Sequence, residues 1–267
     1  MSEGVLVTGA ASGIGAALVE LLLARGDCVL ALDRVSVDPR PGVEVLTCDL
    51  ADPAAIAAVL DRVDPAAVAH VAGVPGTAPP LTVLTVNVLA PVLLVGPLVA
   101  RMGPGGSAVT VSSVAAHRSA VPDEVLDELL GCTDTAELAD WLGRHPHTGA
   151  EAYDTAKKAL VRWTRLAAGE AVARGVRVNS VSPGPVETPI LADFRRSMGE
   201  ADIDRAAATV GRHGRPEEVA AAIAFLLGPD ASWISGTDLP VEGGLLAVRA
   251  ARAAMTARTA GPTRSRT

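Results

Sequence analysis

The stretch Val5-Leu6-Val7-Thr8-Gly9-Ala10-Ala11-Ser12-Gly13-Ile14-Gly15 decides the fold. A short apolar strand, Val5–Thr8, runs into a turn carrying three glycines, and an amphipathic helix is expected from there to about residue 25, stopped by Gly26. Glycines at such a turn let the backbone approach a pyrophosphate, and the helix N-terminus adds free N–H groups and partial positive charge. A glycine pattern alone is weak evidence, and an ordinary strand-to-helix turn is the plain alternative; strand, turn and helix in the required order strengthen the first reading. Gly9, Ser12, Gly13, Ile14 and Gly15 are therefore candidate dinucleotide contacts, although Gly-x-x-x-Gly-x-Gly is not the commoner spacing.

Outward from that turn, strands and helices alternate. Further strands are expected at 28–32, 43–47, 68–71, 108–112, 176–181 and 239–241, and helices at 53–63, 81–102, 151–174 and Pro216–Leu227. This alternation implies a doubly wound parallel sheet with helices on both faces. A length of 267 residues suits one such domain, taken as residues 1–247. From Leu245 onward the chain turns Ala/Arg/Thr-rich, with five arginines and no acid, and residues 248–267 read as a flexible basic tail.

With 49 % apolar residues the chain can bury a sizeable core. A net charge of −7 without a basic block argues against a nucleic-acid surface. The longest apolar run, 81–100, contains Asn87, Pro91, Gly96 and Pro97 and reads as a buried helix, with no membrane span. Met1 to Gly4 leads straight into a strand, so no secretory signal is expected. Cys28, Cys48 and Cys132 lack ligand-like spacing and read as ordinary buried thiols in a reducing cytoplasm.

Asp33 closes the second strand about 20 residues beyond the glycines, where a carboxylate can accept from both adenosine ribose hydroxyls and repel a 2′-phosphate. NAD is thus the expected cofactor, although Arg34 next door would temper the repulsion. The chemistry points to Tyr153 and Lys157. Residues four apart share a helix face, and here the only tyrosine of the chain stands four before one of its two lysines. A phenol has a pKa of about 10, and a nearby ammonium favours its ionised form. The pair can then carry a proton to or from a hydroxyl or carbonyl. Ser112 and Ser113 follow the fifth strand, at the end of a parallel sheet that faces a ligand crevice. Asn87 stands in an apolar helix, where it needs a polar network or a water to satisfy it.

Together these residues resemble the short-chain dehydrogenase/reductase family over roughly residues 4 to 247. The resemblance implies a Rossmann-type domain of strand order 3-2-1-4-5-6-7. It implies Asn87, Ser113, Tyr153 and Lys157 as the catalytic set. Tyr153 would exchange the substrate proton, Ser113 would hydrogen-bond the substrate oxygen, and Lys157 would lower the tyrosine pKa and hold the nicotinamide ribose. Asn87 would keep a water that links Lys157 to solvent. Cofactor contacts follow at Asp49-Leu50, at Ala72-Gly73, and at Val186 and Thr188 in Pro183-Gly184-Pro185-Val186-Glu187-Thr188. The C-terminal strand motif matches Ser235-Gly236 through Val241-Glu242-Gly243-Gly244, with Glu242 where Asp is usual.

Two departures stand out. The family's Asn-Asn-Ala-Gly appears as His70-Val71-Ala72-Gly73, which leaves a strand-bracing asparagine role unfilled. Ser113 and Tyr153 stand 40 apart, farther than usual, around an insertion at about 118–148. It reads as two short helices with apolar faces Leu126/Leu129/Leu130 and Leu138/Trp141/Leu142, and Asp134 with Glu137 resembles a capping box. The insertion is similar to that of the bacterial 3α-hydroxysteroid dehydrogenase/carbonyl reductase branch. If its faces lie on the long helices, a family tetramer contact is obstructed and a homodimer is expected, with a tetramer as the alternative; a lid over the crevice is a second, compatible role.

The expected function is hydride transfer between NAD(H) and an apolar small molecule, an alcohol or a ketone, such as a hydroxysteroid, an aromatic alcohol or a secondary-metabolite ketone. Small aliphatic residues Val74, Ala115, Ala116, Val186 and Ile190 are candidate pocket walls. A non-catalytic dinucleotide sensor need not keep all four catalytic residues, and an S-adenosylmethionine methyltransferase would need neither Tyr153 and Lys157 nor Pro183-Gly184.

Overall fold

A computed structural model describes residues 4–259. Seven parallel strands, β1 Val5–Thr8, β2 Val29–Asp33, β3 Val43–Thr47, β4 Ala67–His70, β5 Ser107–Val111, β6 Arg177–Pro183 and β7 Asp238–Val241, lie in the order β3-β2-β1-β4-β5-β6-β7. Parallel pairing buries both faces, so strands such as β5 and β6 are buried at every position. β1 hands the chain to β2 on one side while β4 pairs on its other side. The strand order reverses there, which opens a crevice at the carboxyl ends of the strands.

Helices cover both faces. α1 Gly13–Ala24 and α9 Pro216–Leu227 pack on one, around Leu18, Val19, Leu22, Val219 and Ile223. The other face carries α2 Pro53–Leu60, α3 Pro80–Arg101 and α6 Gly149–Ala171. α3 is long and apolar enough to cross a membrane, but most of it is buried within the domain. A π turn, Thr85–Leu89, interrupts it. Pro91 has no N–H to donate to the Asn87 carbonyl four residues back, so regular α bonding fails there. α6 begins with a capping box in which Thr148 N–H donates to Glu151 Oε2 at 2.8 Å and Glu151 N–H donates to Thr148 Oγ1 at 3.3 Å.

The insertion forms α4 Asp123–Leu130 and α5 Thr135–Arg144. Asp134 caps α5 by accepting from Ala136 and Glu137 N–H, but Glu137 reaches back to Thr133 N–H and not to Asp134. Leu126, Leu129, Leu138 and Trp141 form a third core with Val83, Leu84, Val88 and Leu89 of α3 and Ala152, Ala156 and Ala159 of α6. Arg162 of α6 pairs with Asp123 and Asp127 at the rim. The apolar faces of the insertion therefore lie on the long helices. Trp141 is fully buried, with its Nε1–H 3.4 Å from the Val125 carbonyl. Trp141→Phe leaves a partly filled site and is expected to lower stability by about 1.5 kcal/mol, read as a lower urea midpoint at unchanged slope; an unchanged midpoint would mean that the insertion folds independently of the core.

Four expectations need correction. Residues 191–210, not assigned an element from sequence, form α7 Leu191–Met198 and α8 Glu200–Val210. The expected tail is helical in its described part, α10 Leu245–Thr259, because alanine, leucine and arginine are strong helix formers; residues 260–267 lie outside the described residues. Cys28 is exposed, whereas Cys48 and Cys132 are buried. The brace expected to be missing at Val71 is supplied by Thr8, whose Oγ1 accepts from Val71 N–H and Ala72 N–H at 3.1 Å each.

Candidate functional site

At the reversal point the strand ends open into a cavity of about 500 Å³. Its cofactor-sized half is built on the glycine turn. Gly9 has φ +69 and sits so near β4 that a Cβ would lie 2.9 Å from the Ala72 nitrogen. A Cβ on Gly15 would lie 2.0 Å from the Gly9 carbonyl oxygen, so the turn closes only around hydrogen there. The resulting cradle presents the N-terminus of α1 to the cavity. Asp33, at the end of β2, is held by Ala11 N–H at 3.0 Å and Val35 N–H at 3.2 Å, and its carboxylate still faces the cavity. Ser12, Gly13, Ile14, Asp49, Leu50, Ala72, Gly73, Val186 and Thr188 also line it, as does Arg34. A glycine cradle, a helix N-terminus and a braced carboxylate fit a dinucleotide with free ribose hydroxyls.

The other half carries the candidate chemistry. Ser113 stands just past β5 and Tyr153 and Lys157 lie one turn apart on α6; all three line the cavity. The Lys157 ammonium sits 5.6 Å from the Tyr153 ring centroid and donates to the Val111 carbonyl at 2.9 Å. Ser112 donates to the Lys157 backbone carbonyl at 2.8 Å and ties α6 to the end of β5. Asn87 does not line the cavity. It lies behind Gly73, accepting from Val74 N–H and donating to the Val74 carbonyl, both at 2.9 Å, and so pins the loop after β4.

Burial dominates the electrostatics. It raises the Tyr153 phenol above its usual value, opposed by a hydrogen bond from Ser113 and by the Arg118 charge. Burial also pushes the Lys157 ammonium down to about 8. In this arrangement of the protein's own groups, burial and not Lys157 sets the direction of the phenol pKa, and the groups that oppose it are Ser113 and Arg118.

The wall facing Tyr153 was not legible in sequence. Phe194 of α7 packs against the phenol ring at 5.2 Å between centroids. Met198, Ile203, Ala206, Leu245 and Arg249 complete it from α7, α8 and α10. Of the aliphatic candidates, Val74, Ala115, Val186 and Ile190 line the cavity; Ala116 is buried elsewhere. Arg118 holds Asp154 with two hydrogen bonds, of 2.8 and 2.5 Å, beside the site. The 3- and 4-residue spacing of Leu191, Phe194 and Met198 was the available signal for this wall.

Comparison with known proteins agrees with this geometry. Residues 5–119 match the NAD dependent epimerase/dehydratase family and residues 141–246 match a model described as enoyl-(acyl carrier protein) reductase. The chain is 35 % identical to coniferyl-alcohol dehydrogenase of Pseudomonas sp. (strain HR199 / DSM 7063), over 91 % of this chain and 96 % of that protein. It is 31 % identical to 3-alpha-hydroxysteroid dehydrogenase/carbonyl reductase of Comamonas testosteroni, over the same shares. Among solved structures, the 3-alpha-hydroxysteroid dehydrogenase from Pseudomonas sp. B-0831 complexed with NADH superposes with a TM-score of 0.79 at 37 % identity, covering 93 % of this chain and 98 % of that one.

Proposed function

The chain belongs to the short-chain dehydrogenase/reductase family and is an NAD-dependent oxidoreductase, and on that premise we propose that it interconverts an apolar alcohol with the matching ketone or aldehyde at Ser113, Tyr153 and Lys157. The observation that carries this reading is the convergence of those three side chains on one cavity with the glycine cradle. The nicotinamide supplies the hydride acceptor or donor and, when oxidised, a positive charge that favours the phenolate. In oxidation, Tyr153 Oη takes the hydroxyl proton while Ser113 Oγ hydrogen-bonds the substrate oxygen; in reduction the proton returns from Tyr153. Lys157, four residues on, adds positive charge beside the phenol. Asn87 positions the loop that carries Ala72 and Gly73.

Relatives named for coniferyl alcohol and for 3α-hydroxysteroids support a ring-bearing, mostly apolar substrate. Phe194, Met198, Ile190 and Ile203 offer the matching surface. Incubating the protein with NAD and a panel of aromatic, alicyclic and steroid alcohols, and following nicotinamide absorbance, tests the reading; no turnover on any ring-bearing alcohol or its ketone would overturn the substrate class.

We further propose a homodimer. The insertion packs on α3 and α6, the two helices a four-helix contact would use, which supports a dimer through another face. Trp233 is 99 % exposed in the segment between α9 and β7, and Phe225 of α9 is half exposed. Light scattering is expected to give twice the chain mass at micromolar concentration, and Trp233→Glu is expected to shift it toward the monomer. A stable tetramer would mean that the insertion leaves the long-helix contact open. Deleting residues 122–144 would then be expected to change KM more than assembly mass. A cytoplasmic location is part of the same proposal, in keeping with three unpaired thiols.

A further inference from the structure

His70 replaces the first asparagine of a motif whose role at that position the chemistry above does not use. It ends β4, is 1 % exposed, and lies in register with Thr8 of β1 and Thr110 of β5. Its Nδ1 is 3.2 Å from Thr8 Oγ1. That oxygen already accepts from Val71 N–H and Ala72 N–H, which uses both its lone pairs. Its own proton can then go only to His70 Nδ1, and Nδ1 must be the unprotonated nitrogen. Burial, with the Lys157 charge nearby, holds the ring neutral, its pKa pushed down to about 3. A neutral ring with an accepting Nδ1 carries its proton on Nε2. This Nε2–H is buried and has no protein partner among the described residues.

A buried donor without a partner is costly and is commonly met by a water. Lys157 reaches the same strand ends: its ammonium has three N–H groups, one of them given to the carbonyl of Val111, the residue after His70's register partner Thr110, and it lies beside Gly73 in the loop that follows His70. We propose that His70 is a positioning residue for Lys157: its fixed Nε2–H donor holds a buried water whose other lone pair accepts from the ammonium. This rests on the reading of Tyr153 and Lys157 as the reacting pair. The water keeps a desolvated ammonium charged and aimed, and a charged Lys157 favours the phenolate. The titratable groups facing Lys157 are Tyr153 on its own helix, with the Arg118–Asp154 pair behind the phenol, and His70 from β4. The end of β5 presents only the Val111 carbonyl, and the π turn the Asn87 amide.

The test uses two variants that keep opposite halves of the imidazole. His70→Asn puts an acceptor near the Nδ1 position and keeps the Thr8 bond, but deletes the outer donor. His70→Gln carries an N–H to about the Nε2 position. His70→Asn is expected to lower kcat for alcohol oxidation about tenfold with KM within twofold. Its acid limb should move to higher pH, since a less charged Lys157 leaves the phenol harder to ionise. His70→Gln is expected to stay within threefold of the parent in kcat. An active His70→Asn beside an impaired His70→Gln would make His70 a brace for Thr8 and overturn the proposal. If both variants are impaired alike, a high-resolution crystal structure of the parent with NAD decides. A water within hydrogen-bond distance of both Nε2 and Nζ supports the proposal, and none there overturns it. Tyr153→Phe is assayed alongside: if it stays active, the reading of the reacting pair has failed, whereas a dead Tyr153→Phe with a parent-like His70→Asn defeats the His70 proposal alone.

Discussion

Tyr153→Phe is expected to lower kcat/KM for alcohol oxidation by about 10³-fold or more, the range in which a positioned proton carrier contributes, while NADH binding stays within threefold. Phenylalanine keeps the ring that packs against Phe194 and lies beside the Lys157 ammonium, so the cavity wall survives. Only the hydroxyl at the cavity is lost, together with its hydrogen bond from Ser113. Fluorescence titration with NADH separates a chemical loss from a binding loss. Activity within tenfold of the parent would mean that the proton travels by another route.

NAD is expected to exceed NADP in kcat/KM by about 10²-fold. The Asp33 carboxylate faces the cavity where the adenosine ribose belongs, and two backbone N–H groups prevent it from swinging away. A 2′-phosphate would meet that charge at close range. Two unit charges about 4 Å apart repel by about 4 kcal/mol at an effective dielectric of 20. Partial exposure of Asp33 and the cation of Arg34 reduce this toward about 2.7 kcal/mol, which is the stated hundredfold. Asp33→Asn removes the repulsion and should bring the ratio below tenfold, chiefly by raising kcat/KM with NADP. Near-equal values in the parent would show that Arg34 offsets the aspartate.

Much of this was local information. The glycine turn, the alternating strands and the Tyr153–Lys157 spacing depend on short-range rules: a turn that tolerates no Cβ, a strand that must be apolar on both faces, and a helix that places every fourth residue on one face. Those rules are written in consecutive residues, so the alternation of strands and helices and the pairing of Tyr153 with Lys157 were legible before any coordinates, while the strand order and the place of Ser113 followed from the family resemblance. Three outcomes depended on what the chain meets far along itself. The loop brace at Val71 looked absent because its substitute, Thr8, lies 63 residues away and reaches it only by strand pairing. The wall of Phe194, Met198 and Leu245 stayed hidden because two short helices and a helical C-terminus become a pocket only when folded over the strand ends. The phenol pKa could not be read from its lysine neighbour, since desolvation is a property of everything packed around the ring. Sequence alone determined the alternation of strands and helices, the glycine turn and the shared helix face of Tyr153 and Lys157, because backbone geometry and periodicity are local. Only the tertiary structure decided the protonation, the bracing and the substrate wall, because burial and through-space contact are set by the whole chain.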